Sequence, residues 1–298
     1  MDTALELACL VEPAAAQQQF TGSELSGKRN LRWRCVQTMM TQVQAELPCH
    51  FGPNDELFGI YHPVPAPATK AILLCPPFGQ DLIRSHRLYR QLANALVAEG
   101  IAVLRFDYYG SGDSAGSSAD VDWARCVDDT VAAAGKLRAL SGCDRIAAFG
   151  ARLGGSVAFA AATAARLVEL VAWDPVLDGA AHVAQLDALQ AALQRDTKRF
   201  IKPRASADIA GQWLGFAIGT HLRQQLIDLH PDPPAVPTLL LDSLAATSTH
   251  DRIRFATAGV TMMPLQPPTP WDDLDRLELA ILSHVLIQAV CNHLRETR

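Results

Sequence analysis

From about residue 45 onward, short apolar runs alternate with apolar repeats of helical spacing. Residues 70–75 (KAILLC), 101–106 (IAVLRF), 145–149 (RIAAF) and 168–173 (VELVAW) are nearly continuous apolar runs, the pattern of strands covered on both faces. Residues 56–63 (ELFGIYHP) read as a strand after the turn Gly52-Pro53-Asn54-Asp55, and residues 236–241 and 260–265 supply the last two strands. Leu88, Leu92 and Leu96 recur every four residues, which predicts a helix from about His86, with Ser85 as cap and Gly100 just past its end. Trp123, Val127, Val131, Ala134 and Leu137 share one face of a helix opening near Asp120. A small-residue helix is predicted over residues 153–166, and Leu274, Leu277, Ile281 and Val285 mark a closing helix. Strands separated by helix-length segments predict an α/β fold, a mostly parallel doubly wound sheet with helices on both faces. Residues 178–230 lack a strand pattern and read as a helical insert, a cap over the carboxyl edge of the sheet.

Residues 1–44 break the pattern. Positions 14–19 are of low complexity, and positions 22–33 are polar with a small basic cluster around Lys28, Arg29, Arg32 and Arg34, read as a solvated segment. These residues are expected to form a mobile extension to a domain over 45–298; Met39 and Met40, where the ordered pattern begins, raise a native start there. Asp2, Glu6 and Glu12-Pro13 leave no basic, uninterrupted leader, so no secretory signal is read.

Composition narrows the function classes. With 49% hydrophobic and 19% charged residues the 298-residue chain can bury a large core, which excludes a disordered chain. A net charge of −5 gives no footprint for nucleic acid or a basic membrane surface. The longest uncharged stretch, residues 255–271, contains Pro264, Pro267, Pro268 and Pro270 and cannot be a membrane span. Seven scattered cysteines without a Cys-x-x-Cys pair read as free thiols of a reducing cytoplasm. No metal or nucleotide motif appears, so no cofactor is expected. The stretch 110–116 (GSGDSAG) is not a dinucleotide fingerprint, because the helix after it opens only near Asp120.

In such sheets ligands bind beyond the carboxyl ends of the strands. The sharpest turn there is Gly150-Ala151-Arg152-Leu153-Gly154-Gly155, between a predicted strand and the small-residue helix. Its outer small residues permit close strand–helix approach while the middle residue sits at an exposed corner, the skeleton of a nucleophile elbow with arginine in place of serine. Together with Leu74-Cys75-Pro76-Pro77-Phe78-Gly79, Asp107-Tyr108-Tyr109-Gly110-Ser111-Gly112-Asp113-Ser114 and Trp173-Asp174-Pro175-Val176, this turn resembles the α/β-hydrolase superfamily in its serine-aminopeptidase-like branch. The arginine elbow, the Trp-Asp-Pro-Val stretch and the late Pro270-Trp271 are most similar to hydrolases associated with exosortase A exopolysaccharide systems.

The resemblance implies site positions. One oxyanion-hole amide would come from Phe78 or Gly79, the other from Leu153 at a helix N-terminus. The acid would be Asp242, with Asp251 as a second option. The histidine seat falls where this chain has Trp271, and no histidine stands in the loop 267–273. Arginine stays protonated to a pKa of roughly 12.5 or above, so Arg152 cannot be a nucleophile. It can grip a carboxylate or phosphate through its planar fork, with Trp271 stacking on it or on a ligand ring. Its alternative role is an ion pair with Asp107, Asp174 or Asp242 that only fixes the fold. His250 is a candidate displaced base on water; His86, His284 and His293 are weaker candidates.

Two functions of different class follow. One is an enzyme acting on an acyl ester or thioester by direct water attack, with Arg152, Asp242 and His250 catalytic and Phe78, Gly79, Leu153 and Trp271 binding substrate. The other is an inactive accessory protein that keeps the pocket and binds a small acyl or anionic molecule. The resemblance sets both in bacterial exopolysaccharide or related secondary biosynthesis.

Overall fold

A computed structural model describes residues 46–65, 67–196, 199, 211–244 and 249–297. The expectations for the extension at 1–44 lie outside the described residues. Strands β1 (Leu47–Phe51), β2 (Leu57–His62), β3 (Ala71–Cys75), β4 (Ala102–Phe106), β5 (Ile146–Ala151), β6 (Glu169–Trp173), β9 (Thr238–Asp242) and β10 (Thr261–Pro264) form one eight-stranded sheet. Its order is β1-β2-β4-β3-β5-β6-β9-β10; β1, β2 and β4 pair antiparallel and all other neighbours pair parallel. The mostly parallel, helix-flanked sheet is the predicted fold class.

β3, β4, β5, β6 and β9 are buried along their whole length, as their unbroken apolar runs require. Alternate side chains feed two cores. Leu73, Leu104 and Ala148 face one side with helices α2 (Trp123–Ser141) and α3 (Leu153–Ala161); Ile72, Val103 and Phe149 face the other with α1 (Gly79–Ala98) and α7 (His284–Glu296).

Four elements differ from the sequence reading. β1 has an exposed outer face and too little apolar signal to be predicted. Helix α1 begins at Gly79, seven residues before His86, because Ser85 turns its hydroxyl back to the Asp81 carbonyl (2.7 Å) inside the helix instead of capping it. The closing helix begins only at His284; Leu274–Arg276 is a separate single turn. The insert carries α4 (Gly179–Arg195), a two-residue hairpin of β7 (Gln212–Trp213) and β8 (Phe216–Ala217), and α5 (Thr220–Ile227), so it is not wholly helical.

One aspartate ties the insert together. Asp187 on α4 accepts from the Trp213 indole at 2.8 Å and from both terminal nitrogens of Arg223 on α5 at 2.8 and 2.5 Å. Gln225 then joins the insert to the body, accepting from the Trp123 amide at 3.0 Å and donating to Asp122 at 2.9 Å.

Candidate active site

The sheet order reverses at β3. The chain runs from β3 to β4 on one side and later places β5 on the other, so the loops after β3 and β5 diverge and open a crevice. The elbow after β5 is built as the glycine spacing predicts. A Cβ on Gly150 would lie 2.5 Å from the Gly154 carbonyl oxygen, and one on Gly154 would lie 2.4 Å from that of Pro76. Only hydrogen fits at either place. Arg152 itself sits at φ 50°, ψ −129°, the strained left-handed corner of a nucleophile elbow.

From that corner the Arg152 side chain enters the crevice and is 5% exposed. Its Nε is 3.4 Å from Asp81 Oδ2, its Nη2 is 3.4 Å from His182 Nδ1, and its guanidinium carbon lies 5.5 Å from the Trp271 ring centroid. Both polar contacts are long for a group whose five N–H donors favour short, paired bonds to carboxylates. Among the described residues Nη1 has no hydrogen-bond partner. The ion pair weighed from sequence therefore exists, but with Asp81, in the first turn of α1, and not with Asp107, Asp174 or Asp242. Burial raises the Asp81 carboxyl above the usual range, and Arg152 and Arg84 oppose that rise.

His182, on α4, carries no sequence signal for this place. Burial first, and then the Arg152 charge, hold it well below the ordinary histidine range, so it stays neutral. Arginine can only donate, so Nδ1 is the acceptor and the ring proton sits on Nε2.

Trp271 lies in the loop after β10, where the resemblance implied a histidine. Its indole Nε1 donates to Asp174 Oδ2 at 2.8 Å. Asp174 follows β6 in a left-handed conformation (φ 46°) and also accepts from the Ser243 amide at 2.6 Å and from the Ser243 hydroxyl. Burial raises its carboxyl, while the Ser243 and Trp271 donors and the Arg152 charge counter that. The carboxylate brought to Trp271 is thus Asp174, where the expectation named Asp242. Asp242 is the last residue of β9, and its Oδ1 accepts from the Leu244 amide at 3.0 Å, which turns it into its own loop. It lines neither of the cavities that Arg152 lines. Arg84 fixes the tryptophan from behind: Nη1 and Nη2 donate to the Trp271 and Pro270 carbonyls, each at 2.7 Å.

The remaining expected residues divide. Phe78 precedes α1, Gly79 opens it at φ 56°, and Leu153 is the first residue of α3; with Trp271 they line one cavity beside Arg152. The Leu153 amide, in the first turn of α3, has no partner within its helix and faces the helix dipole's positive end. His250 is not brought in. It sits on α6 (Thr249–Thr257) with its side chain 86% exposed, 3.8 Å from Asp251, because the helix turns it to solvent. His86 lies on the exposed face of α1, and His293 pairs with Glu169 at the opposite edge of the sheet. No group of His, Cys, Asp and Glu among the described residues is placed to hold a metal ion.

Two cavities meet at Arg152. One is narrow and lined mainly by apolar cap residues, among them Leu186, Trp213, Phe216 and Leu222. The other, about 400 Å³, is more open, with Asp178, Gln185, Asp251 and Asp272 among the residues on its walls.

Elbow, switch-point crevice and cap together decide the architecture. The chain has the α/β-hydrolase fold. Residues 70–214 match the family described as serine aminopeptidase, S33. Among solved structures, the α/β-hydrolase-fold chain is similar to Est1E from Butyrivibrio proteoclasticus, described with ferulic acid bound (TM-score 0.57, 17% identity, 80% of this chain and 94% of that one). It is also similar to XC6422 from Xanthomonas campestris, an α/β serine hydrolase without a lid (0.51, 20%, 86% and 96%). A third is the bottromycin epimerase BotH in complex with bottromycin A2 (0.52, 18%, 80% and 94%). No curated protein matches the sequence. Among the described residues no helix is long and apolar enough to cross a membrane.

Proposed function

We propose that this crevice binds a small molecule through a carboxylate or similar anionic head group, and that it does so without acyl-enzyme chemistry. The carrying observation is the Arg152 guanidinium at the elbow. It is buried and charged, its two polar contacts are long, and Nη1 is left to a ligand. Nη1 is not among the fully buried unpartnered atoms, so it is open to the crevice, where an incoming carboxylate can pair with the planar fork. The Leu153 amide adds a second donor beside the same point. Est1E, which holds ferulic acid, itself a carboxylic acid, supports a free acid as occupant of this fold's crevice. BotH supports functions other than hydrolysis on the same scaffold. The resemblance carried by the arginine elbow and the Trp-Asp-Pro-Val stretch supports a role in exopolysaccharide or related biosynthesis, and the scattered cysteines without a Cys-x-x-Cys pair support a cytoplasmic setting.

One observation favours the enzymatic reading, water attack on an ester or thioester. The strained elbow and its oxyanion-type amide are kept, and neutral His182 stands beside them. In that reading His182, not the outward His250, takes the proton from water, and Arg152 and the Leu153 amide hold the oxyanion.

Arg152→Ala is expected to weaken benzoate binding by roughly 10- to 150-fold, the worth of hydrogen bonds to a charged group, while the circular dichroism spectrum is unchanged. Calorimetric titration with benzoate, and with benzamide as the uncharged control, measures this. Equal affinity in wild type and variant would remove the proposal. Turnover of short acyl esters that survives serine-directed fluorophosphonate and is lost in Arg152→Ala would select the enzymatic reading.

A further inference from the structure

The narrow cavity at Arg152 does not end at the cap. Phe78, Gly79, Phe216, Ile218 and Leu222 line both it and a second cavity that continues toward the loop at Gly110–Gly112. The two lobes hold about 50 and about 140 Å³. A single water needs roughly 10–15 Å³ of such space, so each lobe has room for more than a water, and the shared lining sets the two side by side.

Charge is confined to one end of it. Arg152, Asp81 and Asp272 border the first lobe, whereas no charged side chain lines the second, whose walls are chiefly Leu82, Ile83, Tyr108 and Val121. The far end reaches the surface at Ile83, which is 59% exposed.

We propose that the ligand is a straight-chain alkyl carboxylate, its head on Arg152 and its chain threaded past Phe216 and Ile218 toward the mouth at Ile83. The proposal rests on the anion-binding reading of Arg152 and adds the chemistry of the rest of the molecule. A flexible chain fits these small apolar lobes, and each methylene buried there is removed from water. A chain that reaches Ile83 gains nothing from further carbons, which lie in solvent.

Calorimetric titration of the full-length protein with butyrate, hexanoate, octanoate, decanoate and tetradecanoate, below their critical micelle concentrations, tests this. Affinity is expected to rise about fourfold per added methylene and then level off. Decanol is expected to bind far more weakly than decanoate. Ile218→Trp, which fills the junction of the lobes, should reduce decanoate to the level of butyrate. Val121→Trp, farther along, should move the plateau to shorter chains. Carboxylates that all bind alike whatever their length, or a chain-length series that Ile218→Trp does not alter, would overturn the channel and leave the Arg152 reading standing. Failure of butyrate, benzoate and decanoate alike would overturn both.

Discussion

The double substitution Arg152→Ser with Trp271→His is expected to turn the crevice into an esterase, and Arg152→Ser alone is expected to leave it inert. The backbone already holds residue 152 at the elbow conformation, with φ 50° and ψ −129°. The Leu153 amide stands next to it at a helix N-terminus, where a tetrahedral oxyanion would form. What the single variant lacks is a base within reach of the serine, because His182 meets residue 152 only at the guanidinium tip, which a serine lacks, and an indole N–H only donates. Position 271 nevertheless sits on the carboxylate that would orient an imidazole. Trp271 Nε1 donates to Asp174 Oδ2 at 2.8 Å, and Arg84 anchors the 270–271 backbone through two 2.7 Å bonds. A histidine there, donating to Asp174 from one ring nitrogen, presents the other toward residue 152. A positioned general base is worth roughly 10²–10⁴-fold, and that is the expected gain of the double over the single variant in hydrolysis of p-nitrophenyl acetate. Fluorophosphonate labelling, mapped by mass spectrometry, should fall on residue 152 in the double variant only. A folded double variant that neither turns over nor labels would mean that position 271 is not the histidine seat.

How far the sequence carried this site follows from what kind of signal each residue leaves. Gly150 and Gly154 are demanded by backbone contacts under 3 Å, so their spacing announces the elbow and with it Arg152. Trp271 is reached only through the resemblance, which implies a histidine after the last strand where this chain has a tryptophan. The partners that decide the arginine's role left no such trace. Asp81 reads as one more acidic residue at a helix start, and α1 begins seven residues earlier than its leucine repeat suggests. His182 lies in an insert whose docking depends on Asp187, Arg223 and Gln225, long-range bonds that no local periodicity encodes. That Asp174 meets Trp271, where the acid was expected at Asp242 or Asp251, rests on conformation: Asp174 follows β6 at a left-handed φ and accepts from the Trp271 indole, and nothing in the Trp-Asp-Pro-Val string dictates that. The sheet was recoverable because its central strands are buried on both faces. β1, the half-exposed edge strand, was not.

At the opposite edge of the sheet, breaking the buried ion pair of Lys70 and Glu169 is expected to be among the most destabilising single changes in the chain. Each residue sits at the amino end of a buried strand's run, Lys70 before β3 and Glu169 opening β6, and they are 2% and 3% exposed. Lys70 Nζ spends all three donors, on Glu169 Oε2 at 2.7 Å, Thr297 Oγ1 at 2.7 Å and the Leu294 carbonyl at 3.3 Å, which ties α7 to the sheet. His293 Nε2 stands 3.0 Å from the other Glu169 oxygen. Lys70→Met or Glu169→Leu leaves the remaining charge buried without its partner, at a cost of about 3–5 kcal/mol each. Lys70→Met with Glu169→Leu should cost much less than the sum of the two, since apolar groups then replace both charges. Urea unfolding of the four proteins at neutral pH gives the cycle. Acid provides a second handle. Burial alone would raise the Glu169 carboxyl, but His293, Lys70 and Thr297 outweigh it and bring it down to about 2, from an ordinary 4.5. A carboxylate depressed in the folded state contributes stability that is fully present above its unfolded pKa and is lost as pH falls through its folded one. The contribution, on the order of 3 kcal/mol, should therefore disappear between pH about 4.5 and about 2. Glu169→Gln should flatten the stability–pH curve over that window. Parallel curves for wild type and Glu169→Gln below pH about 4.5 would show that the carboxylate is not held down by these partners.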